Sequence, residues 1–452
     1  MRATLEEKEG PQIIRAPDLI FFVAVFAFLS TQLFQLPLTP IFFEGDHLIS
    51  VTNAVRMLNG EVIYKDFFHL TTPGTELLYC GLFAIFGAKI WILNAVILVL
   101  GMVQVWLIWY FSRPLVSGAL RYLPSVVFLV LGYRVYGIDG SYRILSVVLI
   151  LFAIAVLYHR KTNFALAAAG ILCGLSTMVV QTRGLSGMAA IGCFLIWDAY
   201  RDKTGLKQLS FDAVYLSVPF VLTVAATQSY FIWQAGFENY YFSLITFPLV
   251  YYPSDPLAKF SSYLTDFPDL RVYFNLFPPV TALWRYFRIV LPPTFLYLLV
   301  PWVYVVLLLI RRVKPTLIKN FQTNRRLMLL LFAGVMLAAG ISAPTGYRFY
   351  HVAIPAIVIL FWLLSQLRLP VRIWATLLLL FSAWAGAYAV QRQIVNKYDL
   401  NMPAGNAAFL GLQTYQKYLW VKDHLEPGEV FYEAFHPSFY FPFYLKNPTQ
   451  LY

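Results

Sequence analysis

The feature that most limits what this chain can fold into is a succession of apolar runs, each long enough to cross a bilayer. A transmembrane helix needs about 20 mostly apolar residues. Such runs fall at 18–37, 91–111, 120–137, 142–158, 163–180, 184–200, 211–235, 289–310, 327–343, 350–367 and 371–389. One more, 74–88, is too short to span and reads as a helix at the interface or dipping partway in. Of 452 residues, 60% are hydrophobic and only 12% charged; a soluble domain would carry roughly twice that charged fraction. The expected fold class is an all-α polytopic membrane protein with about 11 transmembrane helices. The first sixteen residues carry both signs of charge and no small-residue cleavage site follows the first apolar run, so that run is expected to stay as a helix.

Orientation follows from Lys and Arg in the short loops. With the N-terminus in the cytoplasm, the inner loops hold Arg113 and Arg121, then Arg160 and Lys161, then Arg201, Lys203 and Lys207. The next hold Arg311, Arg312, Lys314, Lys319, Arg325 and Arg326, and the last Arg368 and Arg372. These loops account for the net charge of +12 without nucleic acid. An odd number of spans puts the C-terminus outside. Three stretches then face outward: a first loop at 38–90, a second, aromatic-rich loop at 236–288, and the tail. The chain divides into a membrane domain, 1–389, and an extracytoplasmic extension, 390–452, whose runs "GEVFYEAF" and "SFYFPFYL" read as strands of a small α/β unit. No repeat of fixed period and no matched pair of interrupted helices is present. Cys80, Cys173 and Cys193 have no ligand-like spacing and read as small buried hydrophobes.

Against this apolar background stands "EGDH" at 44–47. Leu48, Val51, Val55 and Leu58 recur at helical spacing, with Asn53 and Arg56 on other faces, which predicts a short helix resting on the membrane surface. "NG" at 59–60 ends it. Asp46 at its start is a good N-cap. Glu44, Asp46 and His47 are also three titratable groups in four residues where bilayer meets water, and polar clusters there mark functional sites. Both readings are open on sequence.

Four patches, "EGDH", "RMLNGEVIYKDF", "TTPGTELLYCGLFAIFG" and "GYRFYHVAIPAI" at 346–357, together resemble the GT-C glycosyltransferases, in particular the protein-mannosyltransferase-like and aminoarabinose-transferase-like group. The likeness covers most of residues 18–390 in topology and these short patches in residues. It departs in one respect: the family shows Asp followed by Glu, whereas His47 follows Asp46 here and the Glu stands at Glu44.

The resemblance implies a membrane enzyme that takes a sugar from a polyprenyl-phosphate carrier and moves it, with inversion, to a glycan, lipid or protein acceptor outside. Such a reaction needs a base for the acceptor hydroxyl, and Asp46 is the candidate. Glu44, His47 and Asp139 are candidate helpers; at its Gly-flanked turn Asp139 equally reads as an Asx-turn. Arg143, Arg183, Arg348, His351 and Lys65 are candidate phosphate ligands, since guanidinium binds phosphate in a bidentate way; snorkelling to head groups is the plainer reading of Arg143 and Arg183. Tyr240, Tyr251 and Tyr350 would belong to a substrate-covering aromatic loop, or to an interfacial belt. No cofactor is expected; a divalent ion at Glu44, Asp46 and His47 is the less favoured alternative. The rival class is a lipid-linked saccharide transporter or flippase, or an oligosaccharide polymerase or ligase. A flippase would carry charge at mid-span.

Overall fold

The computed structural model describes residues 15–252, 275, 278–286, 291–313, 315–318, 321, 324–341, 346–367, 370–434 and 437–450. Nearly all of the charged N-terminal segment, the middle of the second outer loop, and Lys314, Lys319 and Arg368 lie outside the described residues.

The chain is a mostly helical membrane protein. Helix α1 (Ala16–Leu33) leads through a two-residue pairing, β1 (Phe34–Gln35) with β2 (Thr39–Pro40), into α2 (His47–Leu58) and α3 (Gly74–Phe86). Long helices follow: α4 (Ile90–Ser112), α5 (Leu123–Phe128) continued as a wide-turned segment over Leu129–Gly137, α6 (Tyr142–Leu157), α7 (Asn163–Val179), α8 (Gln181–Asp202) and α9 (Leu206–Ala235). The later part contains α10 (Phe237–Tyr241), α11 (Pro279–Arg285), α12 (Leu291–Val313), α13 (Arg325–Ala339), α14 (Gly346–His351), α15 (Ala353–Gln366) and α16 (Val371–Ile394). Among the described residues, four helices, α1, α4, α9 and α16, are long and apolar enough by themselves to cross a membrane. Shorter apolar helices stand at 74–88 and at four of the other expected runs, 120–137, 142–158, 163–180 and 350–367.

Two ends of the bundle are chemically distinct. At one end the basic loops meet: Lys161 bridges Asp198 (3.0 Å) and Asp212 (2.7 Å), Arg201 pairs with Asp198 (3.0 Å), and Arg326 lies 3.0 Å from His159. At that end too, buried Asp18 accepts from Arg121 (3.0 Å), Tyr122 (2.6 Å) and Trp109 (3.2 Å). The loops assigned to one side by their Lys and Arg are thus neighbours in space.

Helices α7 and α9 touch through a small-residue stripe, Gly170-x-x-x-Gly174, which lets backbones approach closely. A Cβ on Gly170 would stand 2.2 Å from the Leu216 carbonyl oxygen, and one on Gly174 2.7 Å from Thr223 Cβ. Gly170→Val should therefore cost at least about 1–3 kcal/mol by overpacking against a backbone that cannot yield. Gly192→Ala in α8, where nothing lies within 4 Å, should leave the protein as stable or slightly more so. Thermal unfolding of the two variants in one detergent checks the contrast; equal melting temperatures would contradict it.

Two expectations need correction. First, α2 does not rest one apolar face on the bilayer. His47, Leu48, Ser50, Val51, Thr52, Asn53, Ala54 and Arg56 are all buried, and Leu58 is the exposed one. Protein covers the helix all round: the tail joins α2 and α3 in one core, with Phe42 against Phe409 (5.1 Å) and Phe83 stacked on Phe441 (5.4 Å). Second, the strands of the tail lie earlier than the aromatic runs. They are β3 (Tyr398–Met402) and β4 (Gly405–Phe409), an antiparallel hairpin pairing Tyr398 with Phe409 and Met402 with Gly405. They are followed by α17 (Leu412–His424), while "SFYFPFYL" contains the short helix α18 (Tyr440–Phe443). "GEVF" contributes only an isolated bridge, Val430 to Lys446. The described start of the second outer loop is helical, α10 continuing in wide turns over Phe242–Tyr251.

Candidate active site

Asp46 sits just ahead of the first turn of α2 in a helical backbone conformation, and its side chain makes no capping hydrogen bond. It forms an ion pair with Arg143, a residue of the first turn of α6. The capping reading therefore fails on geometry. Ser141 caps α6 and fixes where Arg143 begins, its hydroxyl accepting from the Arg143 backbone N–H at 3.5 Å. The guanidinium lies 4.9 Å over the Tyr142 ring and 3.5 Å from Asp139.

Asp139 has two jobs. Its carboxylate accepts the Ser141 backbone N–H and hydroxyl, both at 2.8 Å, which is the expected Asx-turn. It also faces Arg143, His47 Nδ1 at 3.9 Å and His351 Nε2 at 3.8 Å. The opposite ring nitrogen of His47, Nε2, is 2.9 Å from the Phe43 carbonyl. Exposure separates the two acids: the Asp46 side chain is 36% accessible, against 15% for Asp139 and 12% for Arg143. Asp46 is the more accessible of the two carboxylates.

His351 closes α14 fully buried, with Arg143, Arg183 and Arg348 as its charged neighbours besides Asp139. Arg183, in the first turn of α8, is buried and donates to the Leu337 carbonyl at 2.9 Å, not to a carboxylate. Arg348 donates to the Tyr252 hydroxyl at 3.1 Å. Among the described residues, three guanidiniums and two carboxylates thus gather around His351 and Asp46. Guanidinium groups make charge-assisted, often bidentate hydrogen bonds with anions.

Other expected residues stand elsewhere. Glu44 faces the tail, not Asp46: it interacts with the Tyr418 hydroxyl, which donates to the Ser438 carbonyl at 3.1 Å. Burial first, then the charges of Glu44 and Glu433, push the Tyr418 phenol well above its usual range. Tyr350 is buried in the core, stacked on Phe128 at 4.7 Å. Lys65 is exposed on the 62–66 turn, and no described contact joins it to Asp46. Tyr240 donates to Gln228 (3.0 Å) and packs edge-on against Tyr64, and Tyr251 is exposed beside Phe247.

Sequence reasoning missed Tyr252 as the partner of Arg348, and the buried His69–Glu76 pair (3.3 Å), which Asn53 and Thr71 flank at 3.4 and 2.7 Å. The aromatic-rich loop offered a signal for Tyr252; nothing local marked His69 and Glu76 as partners. Among the described residues, no group of three His, Cys, Asp or Glu side chains is placed to hold a metal ion.

No known family profile matches the sequence, and no curated protein matches it. Among solved structures, the chain is similar to ArnT from Cupriavidus metallidurans bound to undecaprenyl phosphate, at 13% identity and a TM-score of 0.48, over 83% of this chain and 69% of that one. It is similar also to the oligosaccharyltransferase of Archaeoglobus fulgidus in its apo form, at 13% identity and a TM-score of 0.48, over 90% of this chain and 58% of that one. The same archaeal enzyme, AglB, in complex with an inhibitory peptide and a dolichol-phosphate gives 12% identity and a TM-score of 0.47 over 90% and 58%. The chain thus spans less than two thirds of the archaeal enzyme's length.

Proposed function

We propose that this protein is an integral-membrane glycosyltransferase of the GT-C kind, moving a sugar from a polyprenyl-phosphate donor to an acceptor on the extracytoplasmic side. The observation that carries the reading is the meeting, at the bundle end away from the basic loops, of one accessible carboxylate with three arginines. Asp46 receives the proton of the acceptor hydroxyl as its oxygen attacks the anomeric carbon. The bond from that carbon to the phosphate oxygen breaks, and the polyprenyl phosphate leaves with the electron pair. A single displacement inverts the anomeric centre and needs only one carboxylate, unlike the two used in most glycoside hydrolysis. Arg143, Arg183 and Arg348 hold the phosphate, and Asp139 with His351 positions Arg143.

Sidedness in this reading follows the Lys and Arg of the loops: they face the cytoplasm, and the site and residues 390–452 face outward. A flippase is disfavoured because the charged residues of the described helices gather toward the bundle ends. The reading is tested with purified protein and a panel of polyprenyl-phosphate sugars, assayed for polyprenyl phosphate. Release above background from at least one donor is expected. A folded protein inert toward every donor, with and without acceptor glycans, contradicts the proposal.

A further inference from the structure

Away from the Asp46 cluster, a cleft of about 520 Å³ opens between the second half of α2 and the C-terminal tail. Its size lies within the roughly 300–1,000 Å³ of small-molecule sites. Its lining is half polar and half apolar in character. Arg56, Asn59, Glu61 and Lys446 supply the polar groups; Val55, Phe441 and Leu445 supply the apolar ones.

The polar side is built, not incidental. Arg56 is buried and fixed on three sides: Nε to Glu61 at 2.8 Å, Nη2 to the Thr449 carbonyl at 3.4 Å, and its guanidinium 4.4 Å over the Phe67 ring. It therefore holds the Glu61 carboxylate in one place, while 39% of the Glu61 side chain stays accessible. Asn59 and Lys446 are exposed at the same cleft. Glu61 matches the Arg56 guanidinium, and Lys446 stands exposed at the rim, so the floor of the cleft is a fixed ion pair that both donates and accepts.

We propose that this cleft binds a saccharide. A sugar ring offers C–H faces and a rim of hydroxyls, each both donor and acceptor. Fixed planar groups that donate and accept suit the rim. The apolar side chains suit the faces. The cleft shares α2 with Asp46: Val55 and Asn59 stand about 14 and 20 Å from it along the helix axis, at 1.5 Å per residue. Resting on the transferase reading, the bound saccharide is the inner part of an acceptor glycan whose far end meets Asp46.

The test uses the full chain in lipid nanodiscs, without donor, and four trisaccharides as probes: chitotriose, mannotriose, maltotriose and cellotriose. Saturation-transfer NMR and calorimetry read binding. At least one probe is expected to bind, and Asn59→Trp, which plugs the mouth from an exposed position, should weaken it tenfold or more. Lys446→Ala, also exposed, serves as a second variant and should weaken the same probe severalfold. No binding of any probe by the parent overturns the proposal, as does binding that both variants leave unchanged. Acceptor-independent release of polyprenyl phosphate should be the same in both variants. Failure of donor turnover in the parent with saccharide binding intact sinks the transferase reading and not the cleft.

Discussion

Arg348→Ala is expected to raise the donor concentration needed for half-maximal turnover by roughly tenfold to a hundredfold, the loss of one charge-assisted hydrogen-bonded contact. Arg348→Lys should fall between the variant and the parent, because a point charge replaces a planar fork. The other two arginines carry packing or acid contacts of their own. Arg183 donates to the Leu337 carbonyl between α8 and α13, so its loss disturbs helix packing as well. Arg143 pairs with both Asp46 and Asp139, so its loss disturbs the acid. Arg348 has a neutral described partner, the Tyr252 hydroxyl. Initial rates against donor concentration, with melting temperatures measured alongside, check the expectation. An Arg348→Ala protein with unchanged donor dependence and unchanged maximal rate would make Arg348 an anchor for lipid head groups.

The helices were legible because apolar runs of bilayer length dictate backbone satisfied within each segment. The fold of the tail was not. β3 and β4 are made of residues such as Asp399, Asn401, Gly405 and Asn406, which are poor strand formers. Their hairpin is joined by a distant segment: Ile41 bridges Ala408, and the Phe42 N–H donates to the Ala408 carbonyl at 2.9 Å, a contact more than 360 residues apart in sequence. The aromatic runs further on have stronger strand propensity but fill the core against α2 and α3 instead. The same long-range contact explains why the helix α2 was legible and its surroundings were not. The Gly170–Gly174 spacing, by contrast, was visible in the sequence and went unread.

At the site, individual residues were legible and their pairing was not. Asp46, Asp139, Arg143, Arg183, Arg348 and His351 stand out because titratable groups are rare in this chain. That Asp46 meets Arg143, 97 positions on, depends on how α2 and α6 are brought together, which no spacing reveals. Glu44 and Tyr350 stood out for the same reason and were misplaced, one turned to Tyr418 and the other into the core.

Asp46→Asn bears most heavily on the account. Asn matches Asp in shape and in capping ability, and the Asp46 side chain makes no cap here, so α2 should form as before. The ion pair to Arg143 becomes a neutral hydrogen bond. At 36% side-chain exposure, that pair is partly solvated and contributes modestly to stability. On the proposed reading the base for the acceptor hydroxyl is gone, and loss of a general base costs about 10²–10⁴-fold in rate. Donor binding, held by the arginines, should persist. The decisive measurement is turnover of a matched polyprenyl-phosphate sugar by the parent and by purified Asp46→Asn, with donor binding and thermal unfolding followed on the same samples. The account predicts a folded, donor-binding variant whose turnover has fallen by on the order of 10²-fold or more. A folded Asp46→Asn protein that keeps more than about half of the parental turnover would contradict it, because removal of a general base costs far more than twofold.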